Sequence, residues 1–242
     1  MMPMLTAQQV LNNLIRKEQI LTQKGVIEFH FGSVDIVVKQ RDVVGNLMQE
    51  WLQGWFDKNK VAYDTNSNSQ MPPDFFLNPS DHTTNLLEVK AFNRRASPGF
   101  DIADFRAYAE ELLEQPWMLN VDYLIFGYDM SDAGDVTIKD VWLKKVWEIT
   151  RCMEKWPLNL QVKQNVVHKI RPGVWFAKSR YPMFNNRDDF LSALEQTIWQ
   201  NDKTRPMSST WKVDFQKAWK KHYKQKIDFP RWQDIQDKYQ IQ

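Results

Sequence analysis

Pro73-Asp74-Phe75-Phe76-Leu77 and Leu86-Leu87-Glu88-Val89-Lys90 are two apolar runs separated by the polar stretch Asn78-Pro79-Ser80-Asp81-His82-Thr83-Thr84-Asn85. That stretch has the turn chemistry needed to lay the runs side by side as neighbouring strands. Side chains alternate faces along a strand, so Glu88 and Lys90 share one face while Leu87, Val89 and Ala91 point to the other. Asp74 opens the first run. Two carboxylates and an amine therefore converge, and one carboxylate from each strand, Asp74 and Glu88, can hold a hard divalent cation through oxygen, with several waters retained.

A cation and the ammonium of Lys90 both favour hydroxide over water, which is what hydrolysis of a phosphodiester requires. Glu88-Val89-Lys90 is the only acidic-x-Lys triplet in the chain, and it lies in a strand-like run. A plainer reading of the same residues is an edge strand with Glu88 and Lys90 on its wet face and Asp74 as a turn-starting acid. Pro73, Asp74, Glu88 and Lys90 with their apolar flanks resemble the signature of the PD-(D/E)XK nuclease superfamily, particularly its type II restriction endonucleases. Length and motif placement are similar to the NgoBV/NlaIV-type restriction enzymes. The motif covers a short part of the 242 residues.

The resemblance implies a restriction-endonuclease-like α/β core with a central mixed β-sheet flanked by helices. It implies a Mg²⁺-dependent endonuclease that cuts double-stranded DNA at a specific short site, leaving 5′-phosphate and 3′-hydroxyl ends. Asp74 and Glu88 would hold the Mg²⁺, and Lys90 would orient and help deprotonate the attacking water. A homodimer suits a palindromic site, one strand per subunit. Superfamily members often carry a Glu on the helix before the catalytic strands, and Glu50 resembles that residue; read without the resemblance it is a surface acid. The alternatives are a repair or recombination nuclease with the same core and a non-catalytic DNA-binding protein.

With 43% hydrophobic residues the chain can fill a substantial core, and one domain spanning 1–242 is expected, with a catalytic core near 42–130 and a C-terminal elaboration near 187–242. The formal charge is only +2, so affinity for nucleic acid must come from local patches. The single Cys152 excludes an intramolecular disulfide framework and fits a reducing cytoplasm. The amino end lacks a secretory pattern, and the mean hydropathy of −0.58 with no long apolar run points away from membranes. Phosphate-loop, dinucleotide-binding and hydrolase-elbow motifs are missing, and the four histidines lack zinc-ligand spacing. The 11 Trp fit either a core or a base-stacking surface.

Thr6 to Leu21 reads as a helix capped by Thr6, followed by a half-buried hairpin, Val26–Phe31 and Val34–Lys39, about Gly32-Ser33. From Asp42 to Lys58, Val44, Leu47, Met48, Trp51, Leu52, Trp55 and Phe56 recur at helical spacing. Asn66, Asn68 and Gln70 stand in a polar loop whose amides suit adenine edges. Asn93, Arg94 and Arg95 follow Lys90, with arginines suited to phosphate and guanine. Asp101 to Leu119 reads as a helix, Val121 to Tyr128 as a central strand covered on both faces, and Val136 to Val146 as a strand passing into a helix. Shorter strands are expected at Leu160–Ile170 and Val174–Ala177, and a helix at Asp188–Trp199. From Lys203 to Lys238 ten basic residues face four acidic ones, interleaved with Trp211, Phe215, Trp219, Tyr223 and Trp232. This tail either follows a phosphate backbone or packs an aromatic stripe on the core beneath a solvated lysine face.

Overall fold

The computed structural model describes residues 2–68 and 71–240. Its first elements are α1 (Ala7–Arg16), β1 (Lys24–Val26), β2 (Glu28–Phe31), β3 (Val34–Val37), α2 (Val44–Lys58), β4 (Asp64–Thr65), β5 (Phe75–Phe76) and β6 (Leu86–Asn93). There follow β7 (Ala103–Asp104), α3 (Phe105–Glu114), β8 (Asp122–Met130), β9 (Asp135–Lys144), α4 (Val146–Ile149), β10 (Leu160–Lys163) and β11 (Val166–Ile170). The chain ends with α5 (Arg187–Gln200), α6 (Arg205–Tyr223) and α7 (Trp232–Ile235). Contacts fall into two compact units. One comprises Met1–Ser69, Pro73–Phe100 and Asp122–Lys144, the other Gln70–Pro72, Asp101–Val121 and Lys145–Gln242.

The first unit is built on a six-stranded mixed sheet of order β1-β9-β8-β6-β5-β4, in which β6 and β8 run parallel and the other neighbours antiparallel. This is the central mixed sheet expected, and β8 is the strand buried on both faces, with Tyr123, Leu124, Ile125 and Phe126 all inaccessible. Helices α1 and α2 lay Val10, Leu14, Met48, Leu52 and Phe56 against Phe75, Leu77, Leu87, Val89, Leu124 and Phe126. Phe56 and Phe75 meet edge to face at 5.2 Å. Each such side chain contributes about 1.5–3 kcal/mol on burial. Because Leu87 and Val89 belong to this core, alternation commits Glu88 and Lys90 to the other face, and a slip of one residue would exchange them. The pairs Phe75↔Leu87 and Phe76↔Leu86 hold that register.

Several boundaries differ from the sequence expectation. Helix α1 has the expected Thr6 cap, completed by reciprocal bonds with Gln9, but stops at Arg16, ahead of a left-handed Gln19 (φ 51°). The run at Pro73 forms only the two-residue β5, since a proline has no N–H for the ladder. The hairpin expected to be half-buried is exposed throughout β2 and β3, and only Ile27 and Val38 at its root are partly buried.

The second unit holds a three-stranded antiparallel sheet, β10-β11-β7, with α3, α5, α6 and α7. Helix α3 begins at Phe105 rather than Asp101, because Ala103 and Asp104 pair with β11 and the Asp104 side chain then accepts the Ala107 N–H at 3.0 Å as the cap. Val174–Ala177, expected as a strand, is irregular and turn-like. The basic tail resolves toward packing: Trp211, Phe215 and Trp219 of α6 are buried, Trp211 stacks on Phe215 at 5.4 Å, and its indole N–H donates to the Ala109 carbonyl at 2.8 Å. Lys217, Lys220 and Lys221 remain on the solvated side. Cys152 is buried, its thiol donates to the Tyr239 carbonyl at 2.9 Å, and burial pushes its pKa up to about 11, which suits a structural thiol. Among the described residues no helix is long and apolar enough to cross a membrane.

Candidate active site

The site is assembled on the face of β6 turned away from α1 and α2. Asp74 lies just before β5, half-buried, and its Oδ2 accepts the Val89 N–H at 2.8 Å, so its carboxylate is clipped to the backbone between Glu88 and Lys90. Glu88 is only 5% exposed. One of its oxygens, Oε1, takes a charge-assisted bond from Lys90 Nζ at 2.6 Å, whereas the buried Oε2 has no donor among the described residues. Burial, and then repulsion from Glu88, push the Asp74 carboxyl up to about 7, offset in part by the Val89 N–H and by Lys90.

Two neighbouring carboxylates, one of them kept from ionising first by burial and then by the other's charge, with an oxygen left unsatisfied, form a donor set that a hard divalent cation would complete. The cation would relieve the repulsion and give Glu88 Oε2 its missing partner. Asp74 and Glu88 thus fit a Mg²⁺ site. They are not joined by a third metal-binding side chain among the described residues, and Glu50 stands exposed on α2 rather than with them.

The candidate DNA-binding residues are placed unevenly. Asn66 sits directly across from Asp74, prolonging the β4–β5 ladder through its N–H to the Asp74 carbonyl at 3.2 Å, while its side-chain Oδ1 accepts the Asn68 N–H at 2.9 Å. Asn68 is exposed and Gln70 lies outside the described residues. Beyond Lys90, Asn93 Oδ1 accepts the Arg95 N–H at 2.9 Å and shapes the turn that carries both arginines. Arg94 pairs with Asp140 and lies over the Trp142 ring at 5.6 Å. It occupies the space over Gly127, where a Cβ would come within 2.7 Å of the Arg94 side chain. Arg95 makes a two-pronged pair with Asp129, at 2.8 and 2.9 Å, which holds the Asp129 carboxyl below the usual carboxylate range. These acidic partners, far along the chain, had no signal in the local pattern.

One feature of this face was absent from the sequence reading. His82 stacks on Phe76 at 4.2 Å and its Nε2 bonds Asp64 Oδ2 at 2.7 Å. Asp64 lies opposite Phe76, itself two residues beyond Asp74, so the pair belongs to the same alternating face.

A family model described as NgoBV restriction endonuclease matches residues 4–239, nearly the whole chain. The chain belongs to this family. It is 59% identical over 237 residues to the type II restriction enzyme NlaIV of Neisseria lactamica, covering 97% of this chain and 98% of that relative. To the type II restriction enzyme NgoBV of Neisseria gonorrhoeae it is 55% identical over 160 residues, 66% of this chain and 91% of that relative. Its fold superposes on a solved NlaIV restriction endonuclease with a TM-score of 0.96 at 58% identity, covering 99% and 98% of the two chains. Membership in the NgoBV restriction endonuclease family makes the chain a type II restriction endonuclease homologue with the mixed-sheet nuclease fold.

Proposed function

We propose that residues 1–242 act as one endonuclease domain that cleaves double-stranded DNA at a specific short site, as a homodimer in the cytoplasm, with Mg²⁺ held by Asp74 and Glu88. The observation that carries this reading is the carboxylate of Asp74 fastened to the Val89 N–H beside the buried Glu88–Lys90 pair. A bound Mg²⁺ supplies counter-charge for the scissile phosphate and for the oxygen that leaves it. Lys90 orients the attacking water and eases removal of its proton, being held in place by Glu88 Oε1 at 2.6 Å. Asp74 must ionise to take part, so below about pH 7 a Mg²⁺ has to displace its proton, and loading of the site should strengthen as pH rises through that value. In-line attack on phosphorus leaves a 5′-phosphate and a 3′-hydroxyl.

Arg95, its side chain largely exposed beside Asp129, is the better placed of the two arginines to meet phosphate. Asn66 and Asn68, at the rim across from Asp74, are the groove-reading candidates. Digestion of a long, sequenced, unmethylated DNA tests the reading. Wild type should give discrete fragments with Mg²⁺ and none with EDTA, Asp74→Ala should give none in either, and Lys90→Ala should cut at least ~100-fold more slowly in Mg²⁺. Intact DNA from folded wild type in Mg²⁺, or cutting undiminished in Asp74→Ala, would overturn it.

A further inference from the structure

The hairpin β2–β3 has a composition at odds with its surroundings. Its register places Phe29 opposite Ile36 and Phe31 opposite Val34, which puts those four side chains on one face, with Phe29 and Phe31 stacked at 6.3 Å. The other face carries Glu28, His30 and Asp35, with His30 bonded to Asp35 at 2.8 Å. Both faces lie open, the apolar one included: Phe29 is 55% exposed and Phe31 76%. No third strand pairs with these two among the described residues, and an isolated hairpin is marginal in water. Near its root lies a groove of about 230 Å³ whose walls include Ile20, Val26, Leu47, Met48, Trp51 and Ile138, with Glu18 and Lys24 also on it.

We infer that the apolar face of this hairpin is a dimerisation arm that seats in the same groove of a second copy of the chain, the two arm–groove contacts being related by a two-fold axis. The inference rests on the homodimer part of the proposed function and names its surface. Three observations select a second copy as the occupant. Arm and groove lie on one compact unit, so a two-fold exchange satisfies both at once, as an isologous interface requires. From Val26 to Val38 there is no lysine or arginine while Glu28 and Asp35 are present, so the arm repels a phosphate backbone, and the mainly apolar groove, with Glu18 and Lys24 balancing in charge, suits an apolar protein face instead. The area also suffices. With about 150–250 Å² per aromatic side chain, Phe29 and Phe31 leave roughly 250 Å² open and Val34 and Ile36 add to it, so an arm and a groove from each protomer approach the ~800 Å² per partner of a stable interface.

The test is sedimentation of the full chain without DNA or metal, comparing wild type with the arm variant Phe31→Glu and the groove variant Leu47→Glu. Wild type is expected to be a dimer, and each variant to dimerise at least a hundredfold more weakly with an unchanged circular dichroism spectrum and melting curve. Raising the concentration of either variant should restore cutting, since neither residue belongs to the catalytic site. As a second measurement that does not depend on charge tolerance, Phe31→Cys and Leu47→Cys chains are mixed under oxidation. A covalent species of twice the chain mass that forms in the mixture and in neither variant alone supports the exchange. A wild type that stays monomeric at tens of micromolar, a dimer that neither substitution weakens, or no cross-link in the mixture would overturn it. Asp74→Ala separates the two proposals: it should abolish cutting and leave the dimer intact, and loss of cutting without change in mass bears only on the catalytic reading.

Discussion

Replacing Asp74 by asparagine should stabilise the metal-free protein while abolishing its activity, and the pH dependence of the gain can be worked out from the site. The carboxyl is pushed up to about 7 in the fold against 3.8 for the free side chain. Between those values the folded chain holds one proton more than the unfolded chain, so stability falls as pH rises. The slope is about 1.4 kcal/mol per pH unit. The stability that protonated Asp74 contributes is complete below pH 3.8, erodes toward 7 and is gone above it. Over the whole interval the loss is on the order of 4 kcal/mol, and partial solvent access reduces it to about 2–3 kcal/mol. The asparagine of Asp74→Asn carries no charge, and its amide oxygen can still accept the Val89 N–H.

Urea unfolding in EDTA at half-unit steps from about pH 4 to 8.5 measures this directly. The variant's advantage should be near zero at about pH 4, grow through about pH 5 to 7 and level off by about pH 8. Added Mg²⁺ should then raise wild-type stability at about pH 8 by mass action and leave the variant almost unchanged. An advantage that is constant across pH, or a variant less stable than wild type in mild alkali, would refute the argument that burial and the neighbouring Glu88 hold Asp74 protonated in the metal-free site.

Three further outcomes follow from the same geometry. Lys90→Ala removes the donor to buried Glu88 Oε1 and should cost about 3 kcal/mol of stability; single-turnover cutting should slow by roughly 10²–10⁴-fold while DNA binding by gel shift persists. Gly127→Ala drives a Cβ into the Arg94 side chain, so thermal unfolding should show a loss of about 1–3 kcal/mol, with the Arg94–Asp140 pair displaced. Arg95→Ala breaks a largely exposed pair and should change stability by less than about 1 kcal/mol. Its DNA affinity should fall for all sequences alike, and the slope of log affinity against log salt should flatten by about 1, read from titrations at several salt concentrations.

The strand that carries Glu88 and Lys90 was legible because its residue types and its period coincide. Leu87 and Val89 announce a buried face, Glu88 and Lys90 break it at the alternate positions, and in the fold that alternation becomes a core side and a site side. Asp74 was legible by type but not by attachment: its hold on the Val89 N–H depends on strand pairing, which no single run encodes. The polar partners of the arginines were out of reach for a related reason. Asp140 and Asp129 lie on β9 and β8 and meet Arg94 and Arg95 only through sheet order. The lysine-rich tail was readable once its aromatic spacing was taken as a helix stripe, since Trp211, Phe215 and Trp219 recur every four residues and are buried together.

Where apolar spacing misled, it misled in one direction. The hairpin at Val26–Lys39 and the stripe of α2 that includes Leu47 and Trp51 both read as core-facing, yet Phe29, Phe31, Val34, Ile36 and Trp51 all remain open to solvent. Binary pattern reports that a face is made to be covered, and it is silent on whether the cover comes from the same chain. Boundary errors cannot account for the excess, because the register Phe29↔Ile36 and Phe31↔Val34 preserves the alternation expected of a hairpin with one buried face. A face patterned for burial, left bare on the same unit as an apolar groove, is what a subunit interface looks like when only one subunit is present. Should the Phe31→Cys and Leu47→Cys chains cross-link only with each other, the residues that pattern assigned to a core will have been assigned correctly, with the second half of that core supplied by the partner chain.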